Sequence, residues 1–410
     1  MFCIKETLIE YVEKHSECYL VSLDAEKAFD KLWRFGLFHK LMKKLNKREW
    51  LILKRYYDSS EAKIINNDAQ SNIFKVVTGV KQGGILSPFL FNIFVDPLIE
   101  SIIESKVGAK IGAIDTNIIS YCDDIFLLFS CPNHGQLMLD KCQDYAIQWR
   151  LKFNSKKSIV TTFGTPIFKT VRLTLNKEIL EFKNNMKILG HVFNSNDLNE
   201  NEYLIEKFAK VRRSFFSLNA FGLKPGGLNL FCQSFIYNTF CLSKLTYSME
   251  IMSVNVKTIN CLNVMQNNLL RYLLQMSNHN HLSSIQQVLN IFNFKHLFYK
   301  YKLGFRKQLE SSQITKEILS HLLIQKNKMN KSASFICSFN ELSNLLAVNM
   351  NELGLKKNLD GQLDMLNENF NKKPQQVQIV RFCLENYQLK EHRDNLRTIT
   401  SYENQDFVNF

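Results

Sequence analysis

Two adjacent carboxylates, Asp123 and Asp124, stand at the head of an apolar run in the segment SYCDDIFLLFS. Two like charges about 5 Å apart, at an effective dielectric constant near 20, repel each other by roughly 3 kcal/mol before any cost of desolvation. A chain that buries the apolar residues after this pair needs a positive charge beside it. Carboxylate oxygens are the preferred ligands of a hard divalent cation such as Mg²⁺, so the pair is a candidate metal site.

Two other segments carry residues that suit the same site. CYLVSL has the composition of a strand and ends at Asp24, and GVKQGGILSP contains Gln82 and Gly83 in a glycine-rich turn that opens a helix. If the strand before Asp24 pairs beside the hairpin that carries Asp123, the two carboxylates converge at one edge of the sheet. Two Mg²⁺ ions about 4 Å apart would then suit a phosphoryl transfer.

Each of these residues also has a simpler interpretation. An Asp-Asp pair in a turn is usually solvated, Asp24 can cap the helix that follows it, and Gln82 can belong to an ordinary loop. The metal site is favoured because the segments occur together, in order and on suitable secondary structure.

The elements that would position these residues alternate between strands and helices up to about residue 195. This order predicts an α+β fold, an antiparallel sheet backed by helices. From about residue 201 the pattern is helical, with breaks at GLKPGG and SNHNH, which indicates a separate helical domain. The predicted helices are 4–14, 25–45, 50–57, 89–106 and 135–151, and the predicted strands are 18–23, 62–65, 73–79, 117–121 and 125–130, followed by hairpins in LTLNKEILEF and MKILGHVF.

The chain carries 52 Lys and Arg against 38 Asp and Glu, a net charge of +14. This balance favours a polyanionic partner, either nucleic acid or an anionic membrane surface. The longest apolar run, residues 85–99, is too short to span a bilayer and is interrupted by two prolines and an aspartate, so we expect no membrane helix. The N-terminus lacks the zones of a secretion signal and the ten cysteines lack zinc-site spacing, so we expect an intracellular protein with free thiols.

Five segments together resemble the successive palm motifs of reverse transcriptases, specifically those of non-LTR (LINE-type) retrotransposons. They are YLVSLDAEKAFDKLW, GVKQGGILSPFLFNIFVDPLIE, YCDDIFLLFS, LKFNSKKS and MKILGHVF. The match is dense over residues 19–193, and LSKLTYSMEI and LNVMQNNLLRYLL extend it more thinly to about residue 305. The resemblance implies a right-hand palm with a remnant of the fingers over 1–195, a helical thumb or connector over 196–305 and a helical or poorly ordered tail over 306–410.

The resemblance also implies a reaction and its partners. The protein would be an RNA-directed DNA polymerase that adds dNTPs to a DNA primer on an RNA template, in the nucleus or cytoplasm. Asp24 and Asp123 would be the main ligands of two Mg²⁺ ions, or of Mn²⁺, with Asp124 in support. Ala25, Phe29, Gln82 and Gly83 would bind the nucleotide, and Lys157 would contact the pyrophosphate. Leu189 and Gly190 would lie in a hairpin that grips the primer. The nucleic-acid backbone would be contacted by basic residues within 31–55 and by Lys207, Lys210, Arg212 and Arg213.

Two alternatives stay open at this stage. One is another polymerase class, a group II intron-type reverse transcriptase or a viral RNA polymerase, although Phe29 argues against the latter because an aromatic ring at the gate would clash with a ribose 2′-OH. The other is a truncated, catalytically inactive nucleic-acid-binding remnant. Only 18 residues precede Tyr19, where the family has a fingers region, and no endonuclease domain is recognisable. We therefore expect weak or absent polymerase activity from this chain alone, and the sequence predicts no oligomeric state.

Overall fold

A computed structural model describes residues 1–325, except 68, 169, 196, 197 and 199, together with 334–339, 342, 364, 378, 380, 381, 384, 385, 393 and 397. The chain divides into two compact units, Met1–Leu198 and Asn199–Phe410. No described helix is both long and apolar enough to cross a bilayer.

The strands and helices of the described residues follow in chain order. The strands are β1 (Cys18–Asp24), β2 (Glu61–Ala62), β3 (Ile65–Asn66), β4 (Ala69–Gln70), β5 (Phe74–Lys75), β6 (Lys110–Ile111), β7 (Ile114–Asp115), β8 (Ile118–Tyr121), β9 (Asp124–Phe129), β10 (Ile159–Phe163), β11 (Thr174–Leu175), β12 (Glu178–Ile179), β13 (Glu181–Phe182), β14 (Asn185–Ile188) and β15 (His191–Asn194). The helices are α1 (Phe2–Glu13), α2 (Ala28–Lys31), α3 (Arg34–Leu41), α4 (Lys47–Asp58), α5 (Ser87–Glu104), α6 (Pro132–Trp149), α7 (Asn201–Ser217), α8 (Leu230–Ile236), α9 (Ser243–Thr246), α10 (Val256–Leu274), α11 (Ser283–Val288), α12 (Phe294–Ser311) and α13 (Gln313–Gln325).

A five-stranded sheet with the order β13-β10-β1-β9-β8 lies at the centre of the first unit. Strand β1 occupies the middle and is antiparallel to both β9 and β10, and β8 continues the antiparallel order beside β9. The edge strand β13 runs parallel to β10. The predicted antiparallel order therefore holds for four strands and is wrong for β13. The segment between β10 and β13 is long enough to return the chain to the end of the sheet at which β10 begins, so the two strands run parallel.

The two faces of this sheet pack against different elements. Leu23 and Leu127 belong to a core cluster with residues of α5 and α6, which cover one face. Leu20 and Phe126 belong to a second cluster, to which α1 and the β14–β15 hairpin contribute. Because alternate residues of a strand share a face, Asp24 lies on the same face as Leu20, the face that the hairpin covers.

The structure differs from the sequence prediction between β1 and α5. The predicted helix 25–45 is divided into α2 and α3, because Leu32 between them has φ −54° and ψ 127°, an extended conformation. The strands predicted at 62–65 and 73–79 are reduced to the two-residue strands β2, β3 and β5. The side chains of Ile65 and Phe74 in these short strands are 66% and 46% exposed, so no core face extends the pairing.

Several basic residues predicted to follow a nucleic-acid backbone are enclosed by protein instead. Lys40 is buried, with its ammonium group 3.7 Å from the centre of the Trp149 ring. Arg34 donates hydrogen bonds to backbone carbonyl groups, and Lys207 is 5% exposed and donates to the Tyr247 carbonyl. The predictions for Lys40 and Lys207 are wrong, because long basic side chains bury their apolar stems beside aromatic rings. Arg34 is half-buried, so its contact with nucleic acid stays a prediction. Lys210, Arg212 and Arg213 are exposed.

The second unit is helical in its described residues, as predicted from residue 201 onward. The predicted break at GLKPGG separates α7 from α8, and the break at SNHNH separates α10 from α11. Helix α12 runs across the predicted domain boundary at residue 305. Most of the predicted tail, 306–410, lies outside the described residues.

Candidate active site

The end of β1 and the start of β9 bring two carboxylates side by side. Asp24 and Asp124 are direct partners in the antiparallel register of these strands, so both side chains leave the same face of the sheet. Directly opposite residues in such a pair have Cα atoms about 4.5–5.5 Å apart. Asp123 precedes Asp124 in the turn between β8 and β9. The fold thus brings the three predicted carboxylates together, with Asp124 rather than Asp123 directly opposite Asp24.

The turn that carries Asp123 is tight and has an unusual backbone. Tyr121 pairs with Asp124, which leaves Cys122 and Asp123 between the two strands. Cys122 has a φ of 53°, in the left-handed region that residues with side chains rarely adopt. A positive φ at the first of two central residues is typical of a type II′ turn, which matches the twist of the flanking strands. The turn therefore holds Asp123 at a fixed place beside the strand ends.

The three carboxylates share a local excess of negative charge. Burial raises the pKa of the Asp124 carboxyl, and the charges of Asp123 and Asp24 raise it further. None of the ion pairs among the described residues includes these three side chains. The positive charge that the sequence calls for beside Asp123 and Asp124 is therefore not supplied by a neighbouring Lys or Arg of the described chain.

Glu26, two residues after Asp24, shows the opposite arrangement. Its carboxylate pairs with Lys31 at 2.7 Å and with Lys152 at 2.9 Å. These two hydrogen-bonded ammonium groups lower the pKa of Glu26 to about 2. The carboxylate of Glu26, just after the end of β1, is thus neutralised by two lysines, whereas no ion pair of the described residues includes Asp24, Asp123 or Asp124.

The donor set of the cluster suits a hard divalent cation. Three carboxylates supply oxygen ligands, and for Asp124 burial and the charges of Asp123 and Asp24 disfavour the ionised form until a cation binds. Within the part of the chain that the structure describes, no group of three or more His, Cys, Asp or Glu side chains is already arranged to hold a metal ion. Joint coordination would therefore require the carboxylates of Asp24, Asp123 and Asp124 to turn toward a common point.

A loop far along the sequence fixes the backbone of Asp24. The Asp24 N–H donates to the Ser158 hydroxyl at 3.1 Å, and this hydroxyl donates to the Asn154 carbonyl at 2.8 Å. The Asn154 N–H in turn donates to the Asp24 carbonyl at 2.8 Å. Ser158 is completely buried. Sequence reasoning missed this residue, although the turn-forming Asn and Ser at both ends of NSKKS mark a tight loop.

Two other predicted residues belong to the same region. Ala25 is buried and forms an isolated antiparallel bridge with Phe153, which extends the contact between the end of β1 and the loop. Lys157 is exposed, and its backbone N–H donates to the Asn154 carbonyl at 3.2 Å. Because Lys157 directly precedes Ser158, the residue predicted to contact the pyrophosphate lies in the loop that is hydrogen-bonded to Asp24.

The segments that carry the predicted nucleotide-binding residues Phe29 and Gln82 are joined by two hydrogen bonds. The Val80 N–H donates to the Phe29 carbonyl at 2.7 Å, and the Gln82 side-chain amide donates to the Asp30 carboxylate at 2.9 Å. The half-buried ring of Phe29 packs at a centroid distance of 5.4 Å from Phe91. Asp30 was not predicted from the sequence, where it appears as one more charge on a helix.

Glycines allow this close approach. Gly79 has a φ of +78°, and a Cβ there would lie 2.4 Å from the Asp30 carbonyl oxygen and 2.5 Å from that of Phe29. Gly83 also has a positive φ, +72°, but a Cβ would meet nothing within 4 Å. The requirement for glycine is therefore steric at position 79 and conformational at position 83.

The predicted primer-gripping segment is a β-hairpin. Strands β14 and β15 are antiparallel, and Ile188 pairs with His191. Leu189 and Gly190 form the two-residue turn with φ values of 46° and 85°. Two positive φ values are typical of a type I′ turn. The hairpin packs in the cluster that covers the face of the sheet on which Asp24 and Asp124 lie.

Residues 3–193 match the family model described as reverse transcriptase (RNA-dependent DNA polymerase). The RNA-directed DNA polymerase from the mobile element jockey of Drosophila funebris is 24% identical over 270 residues, which cover 64% of this chain and 29% of that protein. The Pol polyprotein from the type-2 retrotransposable element R2DM of Drosophila melanogaster is 31% identical over 157 residues, 37% of this chain and 15% of that protein. The chain thus spans less than a third of the length of these curated relatives.

Among solved structures, a telomerase from Candida albicans in complex with a fragment of telomeric RNA aligns with 83% of this chain and 52% of its own, at 13% identity and a TM-score of 0.40. The family match covers every predicted palm motif, from the strand before Asp24 to the β14–β15 hairpin. Residues 3–193 are thus a reverse transcriptase domain, and the relatives that this chain matches are RNA-directed DNA polymerases and Pol polyproteins of mobile elements.

Proposed function

We propose that this chain is the polymerase segment of a LINE-type retrotransposon protein and that it extends a DNA primer with dNTPs along an RNA template. The observation that carries the proposal is the direct pairing of Asp24 with Asp124, with Asp123 in the adjoining turn, inside a reverse transcriptase domain. In the reaction, the primer 3′-oxygen bonds to the α-phosphorus of the dNTP and the bond to pyrophosphate breaks. Such a protein would work inside the cell, in the nucleus or cytoplasm.

Asp24, Asp123 and Asp124 are the residues that would hold two Mg²⁺ or Mn²⁺ ions. Bound divalent ions would lower the pKa of the primer hydroxyl and offset charge on the phosphates. The chain supports this role by concentrating unpaired carboxylates at one edge of the sheet. The bonds to Ser158 and Asn154 keep the Asp24 backbone in register with β9.

Phe29 and Gln82 would shape the nucleotide pocket. The Phe29 ring is held by Phe91 and the backbone contact with Val80, so it has little freedom to move away from a ribose 2′-OH. Gln82 is oriented by Asp30, which leaves its amide oxygen as an acceptor for a base or sugar. We infer that this pair selects deoxynucleotides, with Gly83 allowing close backbone approach.

Lys157 and the β14–β15 hairpin would bind the remaining partners. Lys157 has an exposed side chain on the loop that holds Asp24, where it can reach a phosphate of the departing pyrophosphate. Leu189 and Gly190 lie at the tip of a hairpin packed on the same face of the sheet as Asp24. A primer strand lying against this tip would present its 3′ end toward the carboxylates.

The proposal is tested by primer extension with the full chain, an oligo(dT) primer on poly(A) and Mg²⁺. Asp24→Asn and Asp123→Asn should each abolish dTTP incorporation, because the amide is a neutral and poorer ligand. Asp144→Asn, an exposed carboxylate on α6, is the matched control and should retain it. Extension that persists in both Asp24→Asn and Asp123→Asn would refute the proposed site.

The inactive-remnant alternative has a different outcome. In that case wild type, Asp123→Asn and Asp144→Asn would all bind template–primer with the same salt dependence and none would incorporate dTTP at any Mg²⁺ or Mn²⁺ concentration.

A further inference from the structure

The second unit contains a long stretch that is almost free of acidic residues. Between Glu206 and Glu310 the single Asp or Glu is Glu250. The same stretch carries thirteen basic residues: Lys207, Lys210, Arg212, Arg213, Lys224, Lys244, Lys257, Arg271, Lys295, Lys300, Lys302, Arg306 and Lys307. Lys207, Lys302 and Arg306 are buried, and the other ten give this stretch a surface that is almost entirely positive, which attracts a polyanion.

Within this stretch, two exposed aromatic rings form what we call the aromatic platform, Phe216 on α7 and Tyr272 on α10. Their ring centres are 5.6 Å apart at an interplanar angle of 65°, and both rest on the buried ring of Phe215. The guanidinium of Arg212, one turn before Phe216, lies 5.9 Å from the centre of that ring. Helix α10 contains no acidic residue. The platform therefore consists of two aromatic rings in edge-to-face contact, with a positive charge beside one of them.

The exposure of these rings requires an explanation. Phe216 is 38% exposed and Tyr272 is 44% exposed, although their neighbours Phe215 and Leu273 are buried. A site that stacks bases needs an accessible aromatic face with a cation for the phosphate, and this is the composition of surfaces that bind single strands. Bases in a duplex are already stacked on each other, so the complementary ligand is an unpaired strand.

We propose that the aromatic platform binds unpaired RNA by stacking a base on Tyr272 or Phe216 while Arg212 contacts the adjacent phosphate. The choice of RNA over DNA rests on the proposed function, in which the template is RNA. The stacking itself does not depend on polymerase chemistry. It adds a contact with the bases to the electrostatic attraction of the phosphates.

The test measures equilibrium binding by fluorescence anisotropy, with the full chain, EDTA and no dNTP. The probe is a labelled, unstructured RNA of about 12 nucleotides, within the range of single-strand sites. Phe216→Leu and Tyr272→Leu keep an apolar side chain and remove the flat ring. The variant that lacks the stacking ring should bind about tenfold more weakly, the order expected for the loss of one stacked base, and should keep the salt dependence of wild type.

Matched controls separate stacking from folding and from charge. Phe235→Leu removes another exposed ring of the same unit, 67% exposed on α8, and should bind RNA like wild type. Arg212→Gln should reduce the slope of log affinity against log salt by about 0.7, the value for one phosphate contact on a single strand. An abasic strand of the same length should bind wild type and Tyr272→Leu equally.

Three results would overturn the proposal: unchanged RNA binding by both Leu variants, an equal loss for the abasic strand, or an equal loss in Phe235→Leu. A labelled DNA strand of the same sequence decides the source, and tighter binding of DNA than of RNA would refute the assignment to RNA. The binding assay contains no divalent ion and no dNTP, so a failure of the polymerase assignment leaves this binding intact and is recognised separately.

Discussion

Replacing Ser158 with alanine should impair the active site without touching a carboxylate. Ser158 is completely buried and its hydroxyl is both an acceptor and a donor: it receives the Asp24 N–H at 3.1 Å and gives its proton to the Asn154 carbonyl at 2.8 Å. An alanine side chain at this position would leave the Asp24 N–H without this acceptor, whereas the Asn154 carbonyl would still accept from the backbone N–H groups of Lys157 and Ser158. The Asn154 N–H to Asp24 carbonyl bond, at 2.8 Å, would be the remaining link of the ring.

The size of the effect follows from the burial of the groups involved. A buried donor left without an acceptor costs about 1–3 kcal/mol, so we expect Ser158→Ala to lower the free energy of unfolding by about that amount. The loss also frees the end of β1 to move relative to β9. A displacement of about 1 Å of a catalytic group can slow a reaction about 100-fold, so the extension rate should fall by roughly 10- to 100-fold.

The assay combines urea unfolding with primer extension over a range of Mg²⁺ concentrations. If Ser158 positions Asp24, the variant should need more Mg²⁺ for half-maximal extension, a change that a general loss of stability would not produce at a temperature where both proteins stay folded. Ser155→Ala is the control, because Ser155 lies in the same loop and its hydroxyl contacts only the exposed Glu178 among the hydrogen bonds of the described residues. Wild-type extension and Mg²⁺ dependence in Ser158→Ala, or an equal defect in Ser155→Ala, would refute the reasoning.

Three further outcomes are expected. Asp124→Asn should raise the free energy of unfolding in EDTA while abolishing extension. Burial and the charges of Asp123 and Asp24 raise the pKa of the folded Asp124 carboxyl, so its ionisation opposes folding once the pH exceeds the pKa of the unfolded chain. Equal stability of variant and wild type in urea unfolding at pH 7 would contradict this. Burial lowers the pKa of Lys40 to about 7, so the unfolded chain binds more protons than the folded protein between pH 7 and about 10. The free energy of unfolding of wild type should therefore rise across that window by up to about 1.4 kcal/mol per pH unit. Thermal unfolding at several pH values should show this rise in wild type and not in Lys40→Met. Phe29→Ala should increase incorporation of rNTPs relative to dNTPs at least tenfold in single-nucleotide extension, and an unchanged ratio would remove Phe29 from the gate.

The residues of the site were readable from the sequence because their segments carry strong local signals. The strands around Asp24 and Asp124 are continuous apolar runs, as expected of strands covered on both faces, and the structure buries both faces. Cys122 and Asp123 were correctly assigned to the tip of a hairpin. Which carboxylate lies opposite Asp24 could not be read in this way, because shifting the register by one residue moves every side chain to the other face.

The predictions that failed concern residues whose environment depends on distant parts of the chain. Ile65 and Phe74 have the composition of strand residues, yet both are exposed in two-residue strands, because pairing extends only where a face is buried. Lys40 and Lys207 were assigned to nucleic-acid contacts by charge alone. Both are enclosed by aromatic rings, and nothing in a basic residue's own position reports which rings the fold brings to it.

The loop NSKKS contains one feature that its own sequence predicts and one that depends on a neighbouring strand. Its Asn and Ser predict a turn, and its position relative to the palm motifs suggested a role for Lys157. The bond from the Asp24 N–H to Ser158 joins residues 134 positions apart, and it exists only because β10 pairs beside β1. A catalytic carboxylate can be found from its own segment, whereas the group that fixes its position is found from the strand next to it. If Ser158→Ala changes the Mg²⁺ dependence as expected, residues that position other polymerase carboxylates should be sought at the ends of neighbouring strands rather than within the motifs.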